Sequence, residues 1–265
     1  MILSNVLKGL LRSLTGRESA KGGAGRDAPP ERRGDESVRD SVRMAIDGFL
    51  REPLAYPAYV DYEMVARLKA AAESADYMVA HMMKAQNFVR PSDLIEFALE
   101  SCKVDGLVVE FGVFRGESLR FIAKRVTQDV HGFDSFEGLP EDWTYFQKQG
   151  RFSLGGNVPS FREKNIRTYK GWFDETLPAF LADNAGAARF IHIDCDIYSS
   201  ARTVLAHLSP RIVKGTVIVF DEYLNYPGWR EHEFMAFQEF IAANGLSYRY
   251  TGFVSSYTSV AVLIE

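Results

Sequence analysis

The sequence predicts an α/β fold with a mostly parallel sheet and helices on both of its faces, and two observations predict it. From about residue 107 onward, short apolar segments of strand length alternate with amphipathic segments of helix length, which implies crossover connections between parallel strands. In addition, 46% of the 265 residues are hydrophobic and 25% are charged, which is ordinary for a chain that buries a full core. This composition excludes general disorder, a collagen-like repeat and a disulfide scaffold.

The expected sheet has seven strands, and its last two are close enough in sequence to form one antiparallel edge. The strands are predicted at residues 107–111, 130–134, 167–170, 190–194, 216–221, 247–251 and 259–264. Between them, helices are predicted at residues 117–126, 176–182, 200–208 and 230–243. Connections of this kind are right-handed, so the helices are expected on both faces of the sheet.

The first 36 residues are expected to form an amphipathic helix followed by a flexible linker. Apolar residues recur at three- and four-residue spacing over residues 2–14, with Lys8 and Arg12 on the opposite side. Docking on an anionic membrane surface and docking on a partner both fit this pattern, whereas a signal peptide needs an uninterrupted apolar run. Residues 16–34 are rich in Gly, Arg and Pro and lack a periodic apolar signal, which is typical of a linker.

Residues 37–90 have a helical pattern, and residues 91–265 are expected to form the main domain. Ser92 is expected to cap the first helix of that domain. The formal net charge of −4 gives no reason to expect nucleic acid as a partner. The two cysteines, Cys102 and Cys195, are far apart and lack metal-ligand spacing, so a reducing cytoplasm is the expected location.

Carboxylates follow four of the predicted strands at their carboxyl ends, where ligands bind in open α/β sheets. A buried core does not need this many acids, whereas a cationic ligand or a metal ion does. The residues concerned are Glu110, Asp134, Asp194, Asp196, Asp221 and Glu222.

The first predicted strand is joined to the first helix after it by the pattern Glu110-x-Gly112-x-x-x-Gly116. This spacing differs from the G-x-G-x-x-G pattern that binds a pyrophosphate, and an acid at the first position suits a ligand with an ammonium group. Asp134 ends the next strand, where a carboxylate can accept hydrogen bonds from ribose hydroxyls. Together these residues predict binding of an adenosyl ligand.

Five segments of the sequence, in their order along the chain, resemble the signature motifs of the macrocin O-methyltransferase family. Members of this family are class I S-adenosylmethionine-dependent methyltransferases that methylate sugars and phenols. The similarity covers roughly residues 92–265. The resemblance implies a Rossmann-like methyltransferase fold, a helical N-terminal lid over residues 37–90, S-adenosylmethionine as cofactor, Mg²⁺ and a hydroxylated small-molecule acceptor, and it is compatible with a homo-oligomer. The segments are VVEFGVFRGESLRFIA, HGFDSFEGLP, GWFDETLP, FIHIDCDIYSSARTVL and GTVIVFDEY.

The same resemblance assigns roles to individual residues. The cofactor would lie against Glu110, Gly112, Gly116, Ser118, Asp134, Ser135, Phe136 and Trp172. The metal would be held by Asp194, Asp221 and Glu222. The family pattern has a second aspartate where this chain has Glu222, so the sequence leaves open whether the metal is retained. Trp172 is equally compatible with packing in the core.

Asp196 is the family-matched general base, because removing a proton from the acceptor hydroxyl makes its oxygen more nucleophilic. His232 is the second candidate, since it follows an aromatic loop at residues 223–229 that is expected to contact substrate. His131 and His192 are expected to be structural. Two rival functions remain open at this point: methyl transfer to oxygen or nitrogen without a metal, and a degenerate methyltransferase fold that serves as an interaction module.

Overall fold

A computed structural model of the chain describes residues 61–144 and 147–265, so the predictions for residues 1–36 and for the first part of the 37–90 segment lie outside the described residues. From residue 91 onward, the helices and strands differ from their predicted boundaries by at most three residues. In chain order they are α1 Tyr62–His81, β1 Gln86–Phe88, α2 Pro91–Ser101, β2 Leu107–Phe111, α3 Glu117–Ala123, β3 Val130–Asp134, β4 Ile166–Lys170, α4 Phe173–Asp183, β5 Ala188–Ile193, α5 Tyr198–Leu208, β6 Val217–Phe220, α6 Glu233–Asn244, β7 Tyr248–Val254 and β8 Val260–Ile264.

The described residues form one eight-stranded sheet in the order β1-β7-β8-β6-β5-β2-β3-β4, so the prediction of seven strands is wrong by one. The additional strand, β1, pairs in parallel with β7. For this reason the β7–β8 pair is antiparallel as predicted but does not form the edge of the sheet. Only β8 runs against its neighbours among these strands, and the sheet is otherwise parallel.

Helices cover both faces of the sheet, as predicted. Leu94 of α2 and Ile122 of α3 belong to the core on one face, while Phe180 of α4, Leu205 of α5 and Phe237 of α6 belong to the core on the other. Because successive side chains of a strand point to opposite faces, the central strands β2, β3, β5, β6 and β8 are buried on both sides. The carboxyl ends of β2, β3, β5 and β6 therefore lie side by side at one rim of the sheet.

Two helix starts show how local chemistry sets the boundaries. The side chain of Asp61 accepts hydrogen bonds from the N–H groups of Glu63 and Met64, at 3.0 and 3.3 Å, and so caps α1. The prediction that Ser92 caps α2 is wrong, because α2 begins at Pro91. A proline is favoured at the first helical position, where its missing N–H group has no partner to lose.

Helix α1 is fixed to the sheet by tyrosine hydroxyls. The Tyr77 hydroxyl lies 2.7 Å from that of Tyr250 on β7, and the Tyr223 hydroxyl lies 2.9 Å from the same atom.

Within residues 61–144 and 147–265 there is no helix with the length and apolar character needed to cross a membrane.

Candidate active site

Two cavities lie at the rim where the parallel strands end. The larger has a volume of about 680 Å³, and eight of the predicted site residues line it: Gly112, Asp134, Ser135, Trp172, Asp194, Asp196, Asp221 and Glu222. The smaller, of about 480 Å³, lies on the side of α2 and α3 and is lined by Gly116 and Ser118. Asp194, Asp221 and Tyr257 line both cavities, so the acids lie where the two meet.

Glu110 is fully buried beneath the smaller cavity and lines neither. Its carboxylate accepts a hydrogen bond from the Ser118 hydroxyl at 3.0 Å and lies 3.0 Å from Nδ1 of His192. Burial disfavours the charged form of His192, but the hydrogen bond and the charge of Glu110 outweigh it, so the pKa of this imidazole is raised. Glu110 would therefore act on a ligand through Ser118 and His192.

The two glycines of the first strand–helix junction have φ angles of +93° and +73°, a region that glycine adopts without strain. A Cβ on Gly112 would overlap the backbone carbonyl of Asp194, and a Cβ on Gly116 would overlap the ring of Phe161. Both glycines are thus required by the packing of the chain itself, whether or not a ligand is bound.

Asp134 holds the loop that follows β2. Its Oδ2 accepts the backbone N–H groups of Val113 and Phe114, at 2.9 and 2.7 Å, and its Oδ1 accepts that of Phe136 at 2.6 Å. Phe114 has a φ of +46°, which a bulky residue rarely adopts. The carboxylate therefore keeps this strained turn in place at the wall of the larger cavity.

The other residues predicted beside the cofactor are placed differently from one another. Ser135 lines the larger cavity, and its hydroxyl accepts the N–H of Glu137 at 3.1 Å. Trp172 is half-buried and lines the same cavity. The side chain of Phe136 is 1% exposed and packs in the core, so only its backbone is near the site.

Two acidic loops, residues 194–197 after β5 and residues 221–225 after β6, bring the predicted metal ligands together. One carboxylate oxygen from each of Asp194, Asp221 and Glu222 lies within 4.8 Å of the others. Burial, and then the charge of Asp221, raises the pKa of both Asp194 and Glu222 well above the usual range. Three carboxylates held this close in a poorly solvated place fit a hard divalent cation such as Mg²⁺.

The individual partners of these acids support the same fit. Asp221 is held by the two residues just before β8, because the Ser259 hydroxyl donates to its Oδ1 at 2.8 Å and the Thr258 hydroxyl donates to its carbonyl oxygen at 2.5 Å. The Oε2 atom of Glu222 is buried and has no hydrogen-bond partner among the described residues. A buried carboxylate oxygen without a partner is costly, and a bound cation would remove that cost.

Asp196 lies two residues beyond Asp194 in the same acidic loop and lines the larger cavity. Its φ of +65° is strained for a residue with a side chain. Burial, together with the charges of Asp221 and Asp134, raises the pKa of Asp196 to about 7. A carboxylate with a pKa near neutrality is suited to accept a proton from a substrate hydroxyl.

Neither Glu233 nor Tyr257 was identified from the sequence. The carboxylate of Glu233, the first residue of α6, accepts the N–H groups of Cys195, Asp196 and Glu222, each at 3.2 Å. From sequence alone it resembles any acid in the first turn of a helix. Tyr257 lies in the β7–β8 turn and is 47% exposed. The charge of Asp221, together with the partial burial of the Tyr257 hydroxyl, raises the pKa of Tyr257 to about 12.

His232 does not line either cavity. Its ring lies 6.2 Å from that of Tyr226 and 6.3 Å from that of Trp143, measured between centroids. Burial lowers its pKa. The structure thus places His232 beside Tyr226 and Trp143, outside both cavities, and Asp196 among the residues that line the larger one.

Known proteins resemble this chain in sequence and in fold. Residues 109–223 match the family model described as a methyltransferase domain. The chain is 28% identical to the 8-demethyl-8-(2,3-dimethoxy-alpha-L-rhamnosyl)-tetracenomycin-C 4'-O-methyltransferase of Streptomyces olivaceus, over 55% of this chain and 63% of that enzyme. It is 25% identical to the mycinamicin III 3''-O-methyltransferase of Micromonospora griseorubida, over 76% of this chain and 89% of that enzyme.

Among solved structures, the O-methyltransferase NovP matches with a TM-score of 0.52 and 22% identity, over 65% of this chain and 78% of that one. The match spans less than two thirds of the tetracenomycin enzyme, whereas most of the mycinamicin enzyme is covered. The sheet order, the strand-end acids and these similarities agree with the resemblance seen in the sequence motifs. Residues 109–223 therefore match a methyltransferase domain, the fold is that of class I methyltransferases, and the chain is similar to macrocin-like O-methyltransferases.

Proposed function

We propose that this chain transfers a methyl group from S-adenosylmethionine to a hydroxyl of a glycosylated small molecule, with Asp196 as the general base and Mg²⁺ held by Asp194, Asp221 and Glu222. The observation that carries the proposal is the convergence of these four acids at one edge of a cavity of about 680 Å³. The methyltransferase domain at residues 109–223 supplies the reaction class.

Aromatic side chains support a glycosylated or phenolic acceptor. Phe114, Trp143 and Phe152 line the larger cavity together with Tyr257. Flat aromatic faces of this kind cover the apolar face of a sugar ring or stack on a phenol. One of the relatives is named for O-methylation of a rhamnosyl tetracenomycin and the other for O-methylation of mycinamicin III.

Residues at different positions in the cavity have different proposed roles. S-adenosylmethionine supplies a methyl carbon bonded to a positively charged sulfur. Ser135 and Trp172, which line the larger cavity, are the residues we assign to its ribose and adenine. Asp196 would take the proton of the acceptor hydroxyl, and a divalent cation would supply positive charge that lowers the pKa of that hydroxyl. Holding donor and acceptor in line is the remaining contribution of the cavity walls.

Cofactor binding is the first test, because the rival interaction module requires none. We expect saturable heat when S-adenosylhomocysteine is titrated into the purified protein in a calorimeter. Trp172→Ala should weaken binding about three- to tenfold, since aromatic stacking contributes about 0.5–1.5 kcal/mol. Tyr62→Ala, which removes an 86% exposed ring on α1, is the matched control and should leave the affinity unchanged. Absence of saturable heat in the unmodified protein would exclude the proposed function.

Metal binding is tested separately, with Mn²⁺ as a paramagnetic substitute for Mg²⁺. We expect electron paramagnetic resonance to show one bound Mn²⁺ ion, and Asp194→Asn to weaken its affinity at least about tenfold by removing one charged ligand. Asp183→Asn, an exposed acid at the end of α4, is the control for loss of one charge. Equal Mn²⁺ affinity in the two variants would remove Asp194 from the metal site and favour metal-independent transfer.

A further inference from the structure

The two acidic loops are joined by one side chain that belongs to neither of them. Oε1 of Glu233 accepts the N–H groups of Cys195 and Asp196, and Oε2 accepts the N–H of Glu222. Since β5 and β6 are neighbouring parallel strands, this carboxylate spans the gap between their carboxyl ends. We propose that Glu233 is a positioning residue that sets the distance between the base Asp196 and the metal ligand Glu222.

The placement of Glu233 is costly, which argues for a specific role. Its side chain is 0% exposed and lies among the carboxylates of the acidic loops. A buried carboxylate is destabilised by desolvation and by its like-charged neighbours, and among the described residues the three N–H donors compensate it. An acid that serves only the dipole of α6 could remain in solvent, as first-turn acids commonly do.

The backbone of the loop after β5 shows what the carboxylate holds. Asp196 has a φ of +65°, a conformation that persists only where the surroundings enforce it. Its N–H and that of Cys195 both donate to Oε1 of Glu233, so the strained residue is held by its own amide and by the one before it. Without these bonds the loop would relax, and the Asp196 side chain would leave its direction into the cavity.

The test compares Glu233→Gln with Glu239→Gln on the same helix. Glu239 is exposed and accepts the Tyr198 hydroxyl at 2.6 Å, so its variant also loses one carboxylate of α6 but leaves both acidic loops intact. A glutamine at position 233 has one carbonyl oxygen and an NH₂ group, so it cannot accept from both loops at once. We expect amide hydrogen exchange to become about tenfold faster in at least one of the two loops, at Glu222 or at Cys195 and Asp196, and only in Glu233→Gln.

A merely structural role predicts a different result. It would lower the melting temperature and speed exchange throughout the domain, while leaving the Mn²⁺ affinity of the folded protein unchanged. A positioning role predicts exchange changes confined to the two acidic loops and a roughly tenfold weaker Mn²⁺ affinity, with binding of S-adenosylhomocysteine altered less than threefold. Unchanged exchange at the three amides in Glu233→Gln would overturn the proposal.

The inference rests on the proposed function, and the two can fail separately. If the unmodified protein binds no Mn²⁺ but exchange still quickens in Glu233→Gln, the metal assignment fails and the positioning of Asp196 stands. If Glu233→Gln does not fold, Glu233→Asp keeps both oxygen acceptors on a side chain shorter by one methylene. That variant should show smaller exchange increases at the same three amides, and their absence would again overturn the proposal.

Discussion

Replacing Asp196 by Asn is expected to lower the rate of methyl transfer about 10²- to 10⁴-fold, the usual cost of losing a general base. Asn has nearly the same shape, so the hydrogen bond from the backbone of residue 196 to Glu233 should persist. Affinities for S-adenosylhomocysteine and Mn²⁺ should therefore change little. The rate is measured as transfer of a labelled methyl group to an acceptor found by screening rhamnosides and phenols.

Two conditions separate a lost base from a lost metal in that experiment. Added Mg²⁺ should not restore the rate of methyl transfer in Asp196→Asn. It should partly restore the rate in Asp194→Asn, because that variant is slow through low occupancy of the metal site. Raised pH should recover part of the Asp196→Asn rate, because the acceptor hydroxyl then ionises without help. Equal recovery of both variants by Mg²⁺ would show that the two aspartates act as one site. No loss in either would make His232 the next residue to replace.

Replacing Gly112 by Ala is expected to destabilise the domain by about 3 kcal/mol or more, from backbone strain and overpacking together. The residue has a φ of +93°, and the added Cβ would overlap the carbonyl of Asp194. A domain of this size should then melt about 6–12 °C lower, as measured by thermal denaturation. Because Asp194 is displaced as well, Mn²⁺ binding should also weaken in whatever protein remains folded.

Gly186→Ala separates the two causes of that destabilisation. Gly186 has a comparable φ of +106°, but a Cβ there meets no atom within 4 Å, so this variant has the strain without the overlap. The free energy of unfolding of this variant should fall by about 1–2 kcal/mol, and its Mn²⁺ affinity should be unchanged. If both variants lost the same stability and bound Mn²⁺ alike, close packing of Gly112 against the backbone carbonyl of Asp194 would have no energetic role.

Sequence patterns predicted the elements that bury apolar residues at a regular period. The strands β2 and β3 have the predicted boundaries because each is a short, mostly buried segment with one acid at or next to its carboxyl end. β1 could not be predicted, since Gln86 and Asn87 are exposed and only Phe88 is partly buried. A three-residue strand that pairs with β7 along its backbone leaves no periodic signal in its side chains.

Part of the candidate site could also be predicted from the sequence, and part of it could not. Acids at strand ends could be found because topology alone gathers the carboxyl ends of parallel strands. The hydrogen bonds of Glu233 could not be predicted, because this residue is 37 and 38 positions away from the two amides on the loop after β5. The pairing of Glu110 with His192 has the same origin, since residues 82 apart meet only through the register of β2 and β5.

The position of β8 bears on the order in which the domain can form. This strand is the last in the chain, yet it lies between β6 and β7, and Thr258 and Ser259 just before it hold Asp221. During synthesis β6 is made more than 30 residues before its partner β8, so one of its edges stays unpaired until then. The hydrogen bonds that hold Asp221, in the loop after β6, can form only when that late strand is inserted. Folding intermediates that lack β8 would therefore expose both an aggregation-prone edge and an incomplete site.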